Sequence, residues 1–291
     1  MLKSMTGYGR AEQTIGGKTY LVEVKSLNGK QFDLQLKLPS LLKPFEFDIR
    51  NMLQEQLIRG TVECFVVIKQ NGAVRPVAIN TDLIKSYYHQ IKELSDELNI
   101  DSNSVMGALL RLPDVVAPST EILNETDFSD FKKVLEEAMQ QLDAHRVQEG
   151  AILESDLEKR IQNIRQQETA ILQFEPKRMI RIKEEIHQLL EQHVGAENID
   201  SNRMEQELIY YMEKIDIHEE QIRLRQHCDY FGQMLQEPEI SKGKKLSFLL
   251  QEIGREINTT GSKAYDVDIQ RCVVVMKDEL EKAKEQVLNV L

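Results

Sequence analysis

Apolar residues repeat with one period in the first seventy residues and with another from about residue 80 onward, and that one change limits the folds open to the chain. Tyr20, Val22 and Val24 alternate with Leu21, Glu23 and Lys25, and Phe32, Leu34, Leu36 and Leu38 alternate with Asp33, Gln35 and Lys37. A period of two marks a strand with one buried and one solvated face. Asn28-Gly29 between the two runs is a turn dipeptide and predicts that they form a hairpin. Pro39 ends the second run, because it has no N–H for a ladder. Phe45, Ile49, Leu53 and Leu57 then step at helical spacing, with Gly60 as the stop. Val62, Cys64, Val66 and Ile68 give another strand, closed by Asn71-Gly72. The remainder keeps a helical period, so the chain reads as α+β, with a largely helical C-terminal half. The expected division is a mixed strand and helix domain over 1–155, a helical connector over 156–200 and a C-terminal helical domain over 201–291.

Within the helical part, Leu83, Tyr87, Ile91, Leu94 and Leu98 share one face behind Thr81 as the expected N-cap. A stretch from Arg111 to Pro118 interrupts the pattern. Helices are expected near 128–143 and then along Leu153, Leu157, Ile161, Ile164 and Ile171, with Pro176 as a break. Further helices are expected at 177–194 and 202–235. The last helix carries Ile269, Val273, Met276, Leu280, Ala283, Val287 and Val290 at alternating steps of four and three, an a/d seam. Such a seam suits packing inside the chain and a coiled-coil contact with a second chain equally well.

Composition narrows the function classes. The 291 residues carry a formal net charge of −11, which argues against coating nucleic acid along the whole surface and leaves room for a local basic groove. Three cysteines, Cys64, Cys228 and Cys272, are too scattered for a disulfide framework or a zinc site. No apolar run approaches the roughly 18 residues of a membrane helix, and the start lacks the apolar core of a secretory signal, so a cytoplasmic, soluble protein with no membrane partner is expected. With no Trp and few aromatics, a base-stacking platform is not evident.

Four segments could carry chemistry. Asp216, Glu220, Arg223 and His227 are spaced to share a face of one helix, where acids, a guanidinium and an imidazole can hold a cation, bind phosphate and move a proton. By spacing alone, a solvated face of ion pairs is the commoner reading. Glu252 and Glu256 lie one turn apart, so both carboxylates can reach one divalent cation, and Arg255, Asn258 and Lys263 supply donors for phosphate oxygens. Lys242, Lys244 and Lys245 around Gly243 read as a flexible cationic loop, and Lys177, Arg178, Arg181 and Lys183 form a second basic cluster. The glycines of Ser4-Met5-Thr6-Gly7-Tyr8-Gly9-Arg10 could admit a ligand close to the backbone, although a softened first strand with a bulge is the plainer reading. Cys64, on the apolar side of its strand, reads as a core thiol.

The opening Ser4-to-Arg10 segment, Glu23-Val24-Lys25-Ser26-Leu27-Asn28, Arg59-Gly60 and Glu149-Gly150 resemble the YicC/YloC family. So do Lys214-x-Asp216-x-x-Glu219-Glu220-x-x-Arg223-x-x-x-His227 and Phe248-Leu249-Leu250-Gln251-Glu252-x-x-Arg255-Glu256-x-Asn258-Thr259-x-x-Ser262-Lys263, and the resemblance spans the whole chain. It implies an endoribonuclease that needs Mn²⁺ or Mg²⁺, cuts single-stranded or structured RNA, and forms a homo-oligomer, a hexamer. In that reading Glu252 and Glu256, with Asp216 or Glu220, hold the cation. Arg223 and His227 join Glu252 and Glu256 in catalysis, and Arg255, Asn258, Lys263, Lys244 and Lys245 bind RNA. The alternative is a non-catalytic RNA-binding adaptor that presents RNA to another nuclease. Ser247, where the family has an aspartate, keeps that alternative in view.

Overall fold

The computed structural model describes residues 2–29, 31–57, 59–70, 79–98, 105–116, 123–195, 200–238 and 241–291. The expected Asn71-Gly72 turn and Pro118 lie outside these residues. Strands β1 (Gly7–Ile15) and β2 (Lys18–Leu27) form an antiparallel hairpin closed at Gly16-Gly17, in register from Gly7 opposite Ser26 to Ile15 opposite Lys18. β1 pairs without a bulge, so that expectation is corrected.

The hairpin predicted at Asn28-Gly29 is not formed. Strand β4 (Gly60–Gln70) separates β2 from β3 (Phe32–Lys37), giving the sheet order β1-β2-β4-β3. β4 runs antiparallel to β2, with Val24 opposite Cys64, and parallel to β3, with Leu34 opposite Val62. Burial explains the order. Tyr20, Val22 and Val24 of β2 and Val62, Cys64 and Val66 of β4 are buried, whereas Phe32, Leu34 and Leu36 are only half-buried, as suits an edge. The parallel β3–β4 pair needs a crossover, and helix α1 (Glu46–Gln56) supplies it, burying Ile49 and Leu53.

Helix α2 (Thr81–Leu98) starts behind Asn80, whose Oδ1 accepts from the Leu83 N–H at 3.1 Å, so the cap lies one residue before Thr81. Its apolar stripe buries no residue completely. After the short α3 (Val105–Leu109), a single 70-residue helix, α4 (Glu125–Val194), replaces the three expected pieces. Phe131, Val134, Leu135, Ala138 and Leu142 pack its first half on the sheet. Leu157, Ile161, Ile164 and Ile171 place its second half in a separate, all-helical core. Pro176 does not break it. Pro176 and Leu172 both face solvent, so the Leu172 carbonyl that loses its helical partner can bond water.

The expected helix over 202–235 is two helices, α5 (Ser201–Ile215) and α6 (His218–Gln236). Asp216 is extended and its Oδ1 accepts from the His218 N–H at 3.0 Å, while Ile217 turns into the core. Helices α7 (Gly243–Lys263) and α8 (Val267–Val287) complete the helical part. Every residue of the a/d seam is buried inside the chain, which settles the two readings of the last helix in favour of internal packing. None of the described helices is long and apolar enough to cross a membrane.

Candidate functional site

Two of the polar segments meet where α6 packs antiparallel on α7. Lys263, at the end of α7, donates to Glu220, in the first turn of α6, at 2.7 Å, and Gln221 donates to Thr260 at 3.1 Å. Glu220 is 8% exposed and its second oxygen is buried without a partner. Glu256 is 5% exposed and lies in the field of four groups. Burial favours its neutral form and pushes its pKa up; Arg223 and His227 oppose that shift, and Glu220 and Glu252 add to it. The rows predicted on separate segments therefore converge: Glu220, Arg223 and His227 from α6, and Glu252, Glu256 and Lys263 from α7.

Other expected members stand elsewhere. Asp216 is not on the α6 face, because it ends α5 in an extended conformation, with its Oδ1 accepting from the His218 N–H. Arg255 and Asn258 are exposed on the outer flank of α7, with Arg255 paired to Glu252 at 3.0 Å. Arg223 is exposed and pairs with Glu219. Lys244 and Lys245 are exposed in the first turn of α7, about 10–18 Å along the axis from Glu252 and Glu256 at 1.5 Å per residue. The flexible cationic loop is a correction as well. Lys242 is buried with its Nζ donating to the Leu235 carbonyl at 2.7 Å, and α7 begins at Gly243.

The two arginines of the second basic cluster are structural, while Lys177 and Lys183 are exposed. Arg178 is 1% exposed and donates to Glu175 at 2.6 Å and to the Ile215 carbonyl at 2.9 Å, and Arg181 pairs with Asp266. The first-strand glycines meet α4 rather than a ligand: a Cβ on Gly9 would stand 2.0 Å from the Ala138 carbonyl oxygen. Cys64 is a buried thiol, its pKa pushed up to about 12 by desolvation.

Sequence reasoning missed Gln221, whose bond to Thr260 fixes the helix pair beside Glu220. A glutamine among charged residues carries no signal of burial. It also missed a polar junction around Arg146, which is buried and donates to Ser26 Oγ at 2.5 Å and to the Met5 and Arg59 carbonyls at 3.4 Å.

Among the described residues, no three Asp, Glu, His or Cys side chains gather closely enough to enclose a metal ion. What the α6–α7 face offers is the Glu252–Glu256 pair with the unpartnered Glu220 oxygen near it. That set suits a cation held by one or two carboxylates and completed by substrate phosphate and water, the usual manner of Mg²⁺, and does not suit a closed protein cage.

Comparison with known proteins agrees over the full length. The family model described as Endoribonuclease YicC-like, N-terminal region, matches residues 2–155, and that described as Endoribonuclease YicC-like, C-terminal, matches residues 168–291. A probable endoribonuclease YicC of Clostridioides difficile (strain 630) is 32% identical over 302 aligned residues, covering 100% of both chains. A probable endoribonuclease YicC of Haemophilus influenzae is 29% identical over 298, again with 100% of both chains covered.

Proposed function

The chain belongs to the YicC-like endoribonuclease family, and from that premise we propose that it cleaves RNA internally at the α6–α7 face. The observation that carries this reading is Glu256, a nearly buried carboxyl in the combined field of Arg223, His227, Glu220 and Glu252. A buried acid whose pKa is raised by desolvation, beside cations and an imidazole, is more typical of a reaction site than of a solvated ion-pair face.

In this reading, Glu252 and Glu256 would hold Mn²⁺ or Mg²⁺, which when bound would supply positive charge to polarise the phosphodiester and acidify bound water. Arg223 and Arg255 receive phosphate oxygens. Their present partners, Glu219 and Glu252, form partly exposed ion pairs, which cost little to exchange. His227 gives or takes the proton at the scissile oxygen. Lys263 holds Glu220 so that its carboxylate keeps a fixed orientation next to Glu256, and Asn258 offers an amide to the RNA. Lys244 and Lys245 attract the strand farther along α7. The expected homo-oligomer, a hexamer, would use the outward side of α8, where Val267, Val274 and Val275 are exposed beside Tyr265.

The deciding experiment incubates end-labelled RNA with the protein in Mn²⁺, in Mg²⁺ and in EDTA, beside the Glu252→Ala/Glu256→Ala double variant. Internal cuts that require the cation and fall by about 10²-fold or more in the variant are expected. Wild-type rates in the variant would sink the assignment, and binding without cuts would move the protein to the adaptor role. One observation favours a second route. Lys263 already occupies one Glu220 oxygen, and no three ligating side chains gather among the described residues, so His227 and Arg223 could assist attack by the RNA's own 2′-OH. That route gives 2′,3′-cyclic phosphate ends in excess chelator.

A further inference from the structure

The four-stranded sheet has one face against α4 and one open to solvent. Positions 7 and 9 of β1 lie on the α4 side, where a Cβ would meet Arg146 or the Ala138 carbonyl, so Tyr8 and Arg10 lie on the open side. The pairing register fixes what stands beside what there. Tyr8 of β1 is directly opposite Lys25 of β2, and Lys25 is opposite Glu63 of β4. Phe65, the next residue of β4 on that face, is opposite Lys37 of β3 and diagonal to Lys25, about 7–8 Å away. Tyr8 is 45% exposed and Phe65 44%, and Lys25, Lys37 and Glu63 are exposed as well. Arg10 is held by Glu12 at 3.2 Å and by Glu23 at 3.6 Å. Lys25 and Lys37, in contrast, make no hydrogen bond or ion pair among the described residues. Tyr8 and Phe65 are two strands and one same-face step apart, roughly 12 Å between Cα atoms, so they do not stack on one another and Lys25 stands between them. The sequence alone does not bring these groups together, because their strands lie apart in the chain.

We infer that the open face of the sheet binds a single-stranded segment of the RNA, with bases on Tyr8 and Phe65 and phosphates on Lys25 and Lys37. This is a surface apart from the α6–α7 face, and it rests on the reading of the chain as one that takes RNA. Charge and continuity identify the occupant. Two unpaired ammonium groups alternate with two uncovered rings, as phosphate and base alternate along a strand. A protein partner seated here would have to desolvate Lys25, Lys37 and Glu63 together, whereas phosphates neutralise both lysines. Glu63 repels a phosphate on Lys25, so it limits the affinity of the site. The face also leads to the start of α7. Asn28, next to Leu27 at the end of β2, donates to the Leu288 carbonyl at 2.7 Å, and the Met5 N–H, just before β1, donates to the Asn289 carbonyl at 2.8 Å. The Leu291 carbonyl accepts from the Lys242 N–H at 3.0 Å, immediately before Lys244 and Lys245. A strand drawn to those lysines can therefore continue onto Tyr8 and Lys25. Every base has a π-face, so the surface tolerates any sequence but requires unpaired bases.

The test is binding of a fluorescent single-stranded RNA by the full chain in EDTA, read by anisotropy across a salt series, with a duplex of the same sequence beside it. The Tyr8→Ala/Phe65→Ala variant is expected to weaken the single strand about 10- to 100-fold and to leave the duplex unaffected. Lys25→Gln/Lys37→Gln should reduce the slope of log K against log salt by about 1.4, two phosphates' worth on a single strand. Glu63→Gln should tighten binding, an outcome that a folding defect does not produce. Tyr8→Trp/Phe65→Trp should bind at least as well as wild type. In cleavage, the loss in the alanine variant should fall on KM and not on kcat. Wild-type affinity in the alanine variant would overturn the proposal. So would an equal loss on single strand and duplex, or a changed subunit number in sedimentation with RNA affinity intact, since the rings would then belong to an interface between copies. The Glu252→Ala/Glu256→Ala variant separates this proposal from the reading of the α6–α7 face. If it cuts normally while the ring variant binds poorly, that reading fails and the sheet surface stands. If it does not cut and the ring variant binds normally, only the sheet surface fails. If wild type binds no single-stranded RNA, both fail.

Discussion

At the scale of single residues, the site depends on how far each charge is removed from water. Glu256 keeps its proton to a higher pH in the folded chain than in the unfolded one, because burial outweighs Arg223 and His227. Below the ordinary glutamate value both states hold the proton, so nothing changes there. Above it the unfolded chain releases the proton first, so stability should fall as pH rises through the window up to the raised value, and then level off. Glu256→Gln should flatten that fall in urea unfolding measured across a pH series. Asp266 behaves oppositely: burial raises its pKa, but the Ile269 N–H, Arg181 and the Asp268 N–H together lower it. Its contribution is present above the ordinary aspartate value and is lost as pH falls toward the depressed one, and Asp266→Asn should remove that acid-side loss. Burial also separates the two lysine and arginine pairs of α7. Lys263→Met strands a nearly buried Glu220 and should cost about 1–3 kcal/mol, whereas Arg255→Met breaks a partly exposed pair and should cost about 0–1 kcal/mol in chemical denaturation. The residue types of the site were legible in the sequence, since acids, Arg and His at helical spacing stand out. Their burial was not: Glu220 and Glu219 are neighbours of the same type, and only packing shows that one is covered by Lys263 and the other lies in solvent.

At the scale of elements, period identified the strands and helices more reliably than breakers located their ends. Pro176 lies within α4 because its turn faces water, and a sequence does not say which way a turn faces. Pro176→Ala should therefore stabilise the protein by about 1–3 kcal/mol in urea unfolding, by restoring the missing N–H and relieving the ring clash. The reverse error occurred at Asp216 and Ile217, where no Pro or Gly marks a break and the chain turns so that Ile217 can enter the core. That turn takes Asp216 out of the polar row. The strand order was hidden for a similar reason. Asn28-Gly29 has the chemistry of a tight turn, but β4, the more deeply buried strand, takes the place beside β2. Two glycines record how closely elements approach. A Cβ at Gly9 would lie 2.0 Å from the Ala138 carbonyl oxygen, and one at Gly150 would lie 2.0 Å from the Leu2 carbonyl oxygen. Gly150→Ala should cost about 2–3 kcal/mol, read from the shift of the denaturation midpoint, because α4 and the segment at Leu2 would have to separate.

At the scale of the whole molecule, α4 is common to both hydrophobic clusters, the sheet-side one and the all-helical one. Neither cluster can lose α4 alone, so calorimetry should record one cooperative transition and not two. The terminal seam was legible as a seam but not as internal, since a heptad repeat describes a face and not the partner that covers it. Large apolar side chains are left uncovered on α2, on α5 and on the outer side of α8, and an assembly would have these surfaces to draw on. Val274→Lys should lower the subunit number in sedimentation if α8 forms that contact. One further link joins distant parts of the chain. Ser4 bridges Val290, the Met5 N–H donates to the Asn289 carbonyl at 2.8 Å, and the Leu291 N–H donates to the Lys3 carbonyl at 3.0 Å. During synthesis, residues 3–5 are made before β1, and their partners at 289–291 only after all of α8. The nascent chain must hold the segment at 3–5 open while every element from β1 to α8 is made, a long interval in which a chaperone could meet it.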